Sequence, residues 1–223
     1  MKAIFITGTD TGVGKTYISY LIAKLLLDKN IKVGYFKPVE TGCHPECEDG
    51  KKLSSLTKQN IDEVVLYKFK DPVAPLVAER EEKKKIDIEK IKKHLENLKQ
   101  KYDFLIVEGA GGIYVPITES NEKIYTYLDF VKETNLPTLI VARANLGTIN
   151  HTVLTYKALE NISARILGVV LNNASKNPDL AEKTNQEIIR QMLKIDNVFY
   201  IYNNEENKNL RILEEKLLNI IKG

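Results

Sequence analysis

The sequence predicts an α/β fold, doubly wound, with a mostly parallel sheet covered by helices on both faces. Two observations predict it. Short apolar runs rich in Ile, Val and Leu alternate with helical patterns almost to the end of the chain. Strands buried on both faces read as such runs. The first run, Ala3-Ile4-Phe5-Ile6, leads through Thr9-Asp10-Thr11-Gly12-Val13-Gly14-Lys15-Thr16 into a helical stretch. Strand, glycine loop and helix in that order are the context of a phosphate-binding loop.

The elements follow in order. Strand Ala3–Thr7 is unbroken apolar sequence, and helix Thr16–Lys29 opens directly on the loop. Lys32–Phe36 is the second strand, ending at Lys37. Gly42 to Lys52 is polar and aperiodic, which predicts a long loop of the kind that serves sites. Val64–Tyr67 is the third strand. The mixed-sign run Glu79–Lys85 predicts a solvated face or loop before helix Ile88–Lys101. Strand Phe104–Glu108, helix Tyr125–Thr134, strand Thr138–Ala142 and helix Ile149–Asn161 continue the alternation. Strand Ile166–Leu171, helix Leu180–Leu193, strand Val198–Tyr202 and helix Leu210–Ile221 complete it. With the glycine loop on the first strand, the fold is of the P-loop NTPase type.

At 223 residues and 43% hydrophobic, the chain is expected to form one domain over 1–223. A net charge of +3 demands neither nucleic acid nor an anionic membrane as partner. No apolar run nears the roughly 18 residues of a membrane span. Met1-Lys2-Ala3 opens directly into a strand, so no leader is expected and the site of action is expected to be cytoplasmic. Cys43 and Cys47 flank His44 and are expected as reduced thiols in a loop.

Ligands of such sheets bind at the carboxyl ends of strands. The loop's N–H groups and the positive helix end suit a polyphosphate. Lys15 adds a charge near the β- and γ-phosphates, and the Thr16 hydroxyl can ligate Mg²⁺. Thr9 stands where the pattern usually has its first glycine. Lys37 ends a strand beside this loop. Glu108, at the end of another, suits a Mg²⁺ oxygen position, with Gly109, Gly111 and Gly112 allowing close backbone approach. Ala144 to His151 follows a strand and opens a helix, which makes a second potential anion site. His151 reads as structural or peripheral.

Four stretches, Thr7–Thr16, Lys37-Pro38-Val39-Glu40-Thr41-Gly42, Val107-Glu108-Gly109-Ala110-Gly111-Gly112 and Leu146-Gly147-Thr148-Ile149-Asn150-His151, closely resemble the dethiobiotin synthetase family in order and spacing. The resemblance runs from the start to about residue 173. It implies an ATP- and Mg²⁺-dependent ligase that closes the ureido ring of dethiobiotin from 7,8-diaminononanoate and CO₂ through a carbamate and a carbamic–phosphoric anhydride. Lys37, Lys15 and Thr11 are the implied catalytic group. Gly12, Val13, Gly14, Lys15, Thr16, Glu108, Gly109, Ala110 and Gly111 are implied for the nucleotide, with Asn172 and Asn173 at the base. Thr41 is implied for the diamine or carbamate end. Gly147, Thr148, Ile149 and Asn150 are implied for the substrate carboxylate across a homodimer interface. Thr16, Glu108 and Asp49 are the candidate metal ligands.

Two departures stand out. The family's Ser-Asp after the Lys37 segment, a Mg²⁺ and nucleotide ligand, aligns with Ser54-Ser55, and Asp49 is the nearby carboxylate. The family's Gly-x-Ile-Pro at the base pocket is replaced by Phe199-Tyr200-Ile201-Tyr202, which leaves selectivity among ATP, GTP and CTP open. Two alternatives share the fold. Cobyrinate amidase-type ligases usually carry a further glutamine amidotransferase domain, for which this chain lacks the length. Partition and membrane-positioning ATPases carry a signature lysine where Asp10 stands; Asp10 counts against them, the last helix does not.

Overall fold

The computed structural model describes residues 2–218 and residue 221. In chain order the elements are β1 (Ala3–Gly8), α1 (Lys15–Leu27), β2 (Val33–Glu40), α2 (Glu48–Thr57), α3 (Ile61–Val64), β3 (Val65–Lys68), α4 (Pro75–Glu81) and α5 (Ile88–Lys101). Then follow β4 (Phe104–Gly112), β5 (Pro116–Ser120), β6 (Lys123–Thr126), α6 (Tyr127–Thr134), β7 (Thr138–Arg143), α7 (Thr148–Asn161), β8 (Ile166–Ala174), α8 (Leu180–Leu193), β9 (Val198–Tyr202) and α9 (Glu206–Leu213). Among the described residues, seven strands form one sheet in the order β3-β2-β4-β1-β7-β8-β9. Every pairing in it is parallel. They are the strands read from the apolar runs.

Side chains alternate across this sheet with the period of an extended chain. Ile4, Ile6, Ile106, Leu139 and Val141 pack with α1, α2, α3 and α9. Phe5, Leu105, Val107, Ile140 and Ala142 pack with α4 to α8 on the opposite face. The doubly wound arrangement is thus borne out. Among the described residues no helix is long and apolar enough to cross a membrane.

Several local expectations are corrected. β2 runs to Glu40, β4 to Gly112 and β8 to Ala174, so Lys37, Glu108, Asn172 and Asn173 lie within strands rather than at their ends. The cause for β2 is a change of partner. Val33 to Phe36 pair with β4, whereas Lys37, Val39 and Glu40 pair with β3. The segment read as loop from Gly42 to Lys52 contains the start of α2, whose buried face is only Gly50, Leu53 and Ser54. Cys43 and Cys47 are joined in a disulfide rather than free, because the turn before α2 brings their Cα atoms to 4.1 Å.

The charge run also divides. Its first residues belong to α4, and Glu79 is buried, where it accepts from the Ile86 N–H and the Thr118 hydroxyl at 2.7 Å each and from Lys85 at 2.9 Å. A buried carboxylate is tolerable when its lone pairs are met in this way. α6 starts at Tyr127, since the residues before it pair in the β5–β6 hairpin. The last helix begins earlier than expected, at Glu206, and continues as a π-helical turn over Glu214–Leu218. The expected stretch at 219–220 lies outside the described residues.

Candidate active site

The parting of β2 from β4 builds the site. The two strands pair as far as Phe36 and Val107, and Lys37 and Glu108 are the first residues beyond. Each is buried. The Lys37 ammonium lies 3.4 Å from Glu108 Oε1 and also donates to the Asp49 carboxylate. Both oxygens of the Glu108 carboxylate are also bonded: Oε1 takes the Thr16 hydroxyl and Oε2 the Ser19 hydroxyl, both at 2.7 Å.

Burial by itself lowers the pKa of the Lys37 ammonium, but Glu108 and Asp49 outweigh it and hold it above the usual lysine range. Burial works against the Asp49 carboxylate too, and Lys37 reverses it, so Asp49 sits below its usual range. Lys15 differs. Burial pulls its pKa down, only partly opposed by Glu108, and its ammonium donates to the Asp10 carbonyl at 3.2 Å.

The glycine loop supplies the second wall. Gly12 and Gly14 have φ of 73° and 93°, and Gly14 is the N-cap of α1. A Cβ at Gly14 would fall 2.0 Å from the Asn172 Nδ2 atom, so position 14 needs glycine for space as well as for conformation. Among the described residues no side chain caps α1, leaving the N–H groups of its first turn to an anion.

Asp49 is delivered by α2. Its own N–H and that of Gly50 donate to the Glu40 carboxylate at 2.9 Å each. Ser54 and Ser55, the pair aligned with the family acid, instead donate their hydroxyls to the Lys51 carbonyl at 3.0 and 2.9 Å. Of this segment it is Asp49, not Ser54 or Ser55, that reaches the site, beside Glu40 and Glu108.

These groups open on a cavity of about 520 Å³ that Thr11, Thr41, Ala110 and Gly111 also line, with Pro72, Val73 and Val115 as an apolar wall. Gly109 is buried instead, where an added Cβ would meet the Phe5 ring. A second cavity of about 510 Å³ lies across the glycine loop, lined by Val13, Tyr17, Asn172, Asn173 and Tyr202 to Asn204. Asn172 donates to the Val13 carbonyl at 2.9 Å, and its Oδ1 is buried without a partner among the described residues. An orphaned buried acceptor is costly unless a ligand supplies a donor.

Gly147 caps α7 at a φ of 92°. It lines, with Thr148, His151, Asp10 and Arg143, a small hollow of about 60 Å³ that is separate from the Lys37 cavity. Within one chain, Gly147 to Asn150 and Lys37 are not brought together. Sequence reasoning missed Ser19 and Glu40. Ser19 lies one helical turn after Thr16, a spacing that was readable once Thr16 was chosen. Glu40 had no such signal, because its partners come from the start of α2.

A family profile described as an AAA domain matches residues 2–209. ATP-dependent dethiobiotin synthetase BioD of Aquifex aeolicus (strain VF5) is 46% identical over 192 residues, 86% of this chain and 85% of that protein. The Bacillus subtilis (strain 168) enzyme of the same name is 42% identical over 196 residues, 86% and 83% of the two chains. That of Methanococcus vannielii is 46% identical over 171 residues, 76% and 78%. Solved structures of similar fold include a plasmid partition protein of Borrelia burgdorferi, with a TM-score of 0.59 at 18% identity over 97% of this chain and 99% of that one. The MinC:MinD cell division complex of Aquifex aeolicus gives 0.55 at 18% identity, covering 100% and 90%. At such identity the likeness speaks for the fold alone, whereas the sequence relatives share most of their length with this chain. The chain belongs to the AAA-domain family and, within it, to the ATP-dependent dethiobiotin synthetases, a family of ATP-dependent ligases.

Proposed function

We propose that this chain closes the ureido ring of dethiobiotin from 7,8-diaminononanoate, CO₂ and ATP, with Mg²⁺ as cofactor, in the cytoplasm. The observation that carries the reading is the opening between β2 and β4, where Lys37, Glu108 and Asp49 face Lys15 and Thr16 on one cavity. One amine captures CO₂ as a carbamate and loses a proton. A carbamate oxygen attacks the γ-phosphate, ADP leaves, and the carbamic–phosphoric anhydride forms. The second amine attacks the anhydride's carbonyl carbon, phosphate leaves and the ring closes.

Lys37 and Lys15 offset the charge on the carbamate and the transferring phosphoryl group. Gly12, Val13 and Gly14 cradle the phosphates, and Thr11 and Thr41 orient the reacting end of the diamine. The wall of Pro72, Val73 and Val115 suits its hydrocarbon chain. Thr16, Glu108 and Asp49 would hold Mg²⁺, a fit supported by their hard oxygen donors and by the 2.7 Å approach of the Thr16 hydroxyl to Glu108. Bound there, the cation would supply positive charge to offset that of the triphosphate. The base is read into the cavity at Asn172 and Asn173.

Purified protein given diaminononanoate, bicarbonate, ATP and Mg²⁺ should produce dethiobiotin detectable by mass spectrometry. Phosphate release without dethiobiotin, indifferent to the diamine, would instead fit a nucleotide switch. Asp49→Asn is expected to raise the Mg²⁺ concentration for half-activation by about tenfold or more, with Ser54→Ala unchanged. Equal Mg²⁺ titrations for Asp49→Asn and the unaltered protein would remove Asp49 from the ligand set.

The substrate carboxylate is read onto the N–H groups of Gly147 to Asn150 from a partner copy, which makes a homodimer the active unit. Leu146 and Leu154, on and beside that segment, are 82% and 61% exposed, apolar surface that a second copy would cover. Sedimentation at assay concentration is expected to give a dimer. A fully active monomer would overturn both the dimer and that position of the carboxylate.

A further inference from the structure

Asn209 is an asparagine where helix α9 would ordinarily present an apolar residue to the core. It is 0% exposed and shares the buried face of α9 with Leu213. Its carboxamide is used at both ends. Oδ1 accepts the Tyr202 N–H at 2.8 Å, and Nδ2 donates to the Tyr202 carbonyl at 2.8 Å and to the Tyr17 hydroxyl at 3.2 Å. Tyr17 and Tyr202 both line the cavity that contains Asn172. Asn203 is tied back in turn, its N–H donating to the Ala174 carbonyl at 3.0 Å. A buried amide bonded through both its oxygen and its nitrogen rigidifies what it touches, whereas an apolar side chain there would leave the Tyr202 N–H and carbonyl without these bonds.

Resting on the reading of that cavity as the base site, we propose that Asn209 is a positioning residue for the base of the nucleoside triphosphate. It fixes the turn at Tyr202 to Asn204 against Tyr17, and so sets the wall that a base held at Asn172 meets. This is the work that a rigid proline turn would otherwise do, done here by one side chain from the following helix. Asn209 touches no reacting atom, so its loss should register in nucleotide selection and not in the chemical step.

The test compares Asn209→Ala, Tyr17→Phe and Asn172→Ala with the unaltered protein, using ATP and GTP with saturating diamine. Asn209→Ala is expected to raise KM for ATP about tenfold, to narrow the ATP-to-GTP ratio of kcat/KM, and to leave kcat within about twofold. The KM for the diamine should not move. A loss confined to thermal midpoint or active fraction, with nucleotide KM and the base ratio unchanged, would overturn the proposal by showing a structural role only. If Asn209→Ala does not fold, Tyr17→Phe decides. It removes one of the bonds, and a rise in ATP KM of about threefold supports the proposal, whereas no rise overturns it. Asn172→Ala separates the two levels of the argument. A raised ATP KM there beside an unchanged Asn209→Ala protein overturns the role of Asn209 alone, and an unchanged ATP KM in Asn172→Ala overturns the base site itself.

Discussion

Lys37→Ala is expected to lower kcat by roughly 10²–10³-fold while ATP affinity changes far less. The ammonium is buried, and the two carboxylates beside it keep it protonated against the pull of burial. In the proposed reaction it faces charge that develops as the phosphoryl group passes to the carbamate. A group that acts on developing charge raises the barrier when lost and leaves the ground-state complex nearly intact. Single-turnover rates beside equilibrium ATP titrations will separate the two effects. Comparable losses in rate and affinity would count against this role. Lys15→Ala should differ by lowering both, since Lys15 belongs to the loop that holds phosphates before reaction begins.

Glu108→Ala is expected to destabilise the ligand-free protein by about 3 kcal/mol, the lower end of the cost of truncating one partner of a buried ion pair. The lower end applies because Asp49 still faces Lys37. The change also orphans the hydroxyls of Thr16 and Ser19, both of which donate to Glu108. Urea denaturation without nucleotide measures the loss, and an unchanged midpoint would mean that the pairing contributes nothing to the fold. Activity should fall with it at any Mg²⁺ concentration. Ser19→Ala isolates one strand of this network, with an expected cost of about 1.5–3 kcal/mol for a hydrogen bond to a charged group.

What was legible in the sequence, and what was not, follows from where each residue finds its partners. The central strands are covered on both faces, so their apolar runs had no competing reading. The glycine loop, Lys37 and Glu108 were readable because strand, loop and charged residue are contiguous in the chain. α2 was hidden because Leu53 is its one large buried apolar side chain and Glu40 docks its first turn through hydrogen bonds. Asp49 was readable in the sequence only as the carboxylate nearest the Ser54-Ser55 pair, since nothing local showed that Glu40 would dock the start of α2 and bring it beside Lys37. Glu79 lay in a run of charges, and nothing local announced that the Thr118 hydroxyl of β5 would donate to it in the core. The short β5–β6 hairpin, rich in polar residues and half exposed, left no apolar alternation strong enough to read.

Gly12 is the residue that the two large cavities have in common. A Cβ placed there would meet nothing within 4 Å, so the backbone at this point borders open space rather than packed protein. With the base and the diamine in the cavities proposed for them, a single molecule carrying a base-like head and an amine-bearing tail would cross from one to the other over a residue without a side chain. Once one end is seated, a short flexible bridge presents the other at an effective concentration in the millimolar range, so two weak fragments combine into a ligand tighter than either by about 10²–10⁴-fold. Gly12, which borders both cavities, is where a tethered inhibitor would cross.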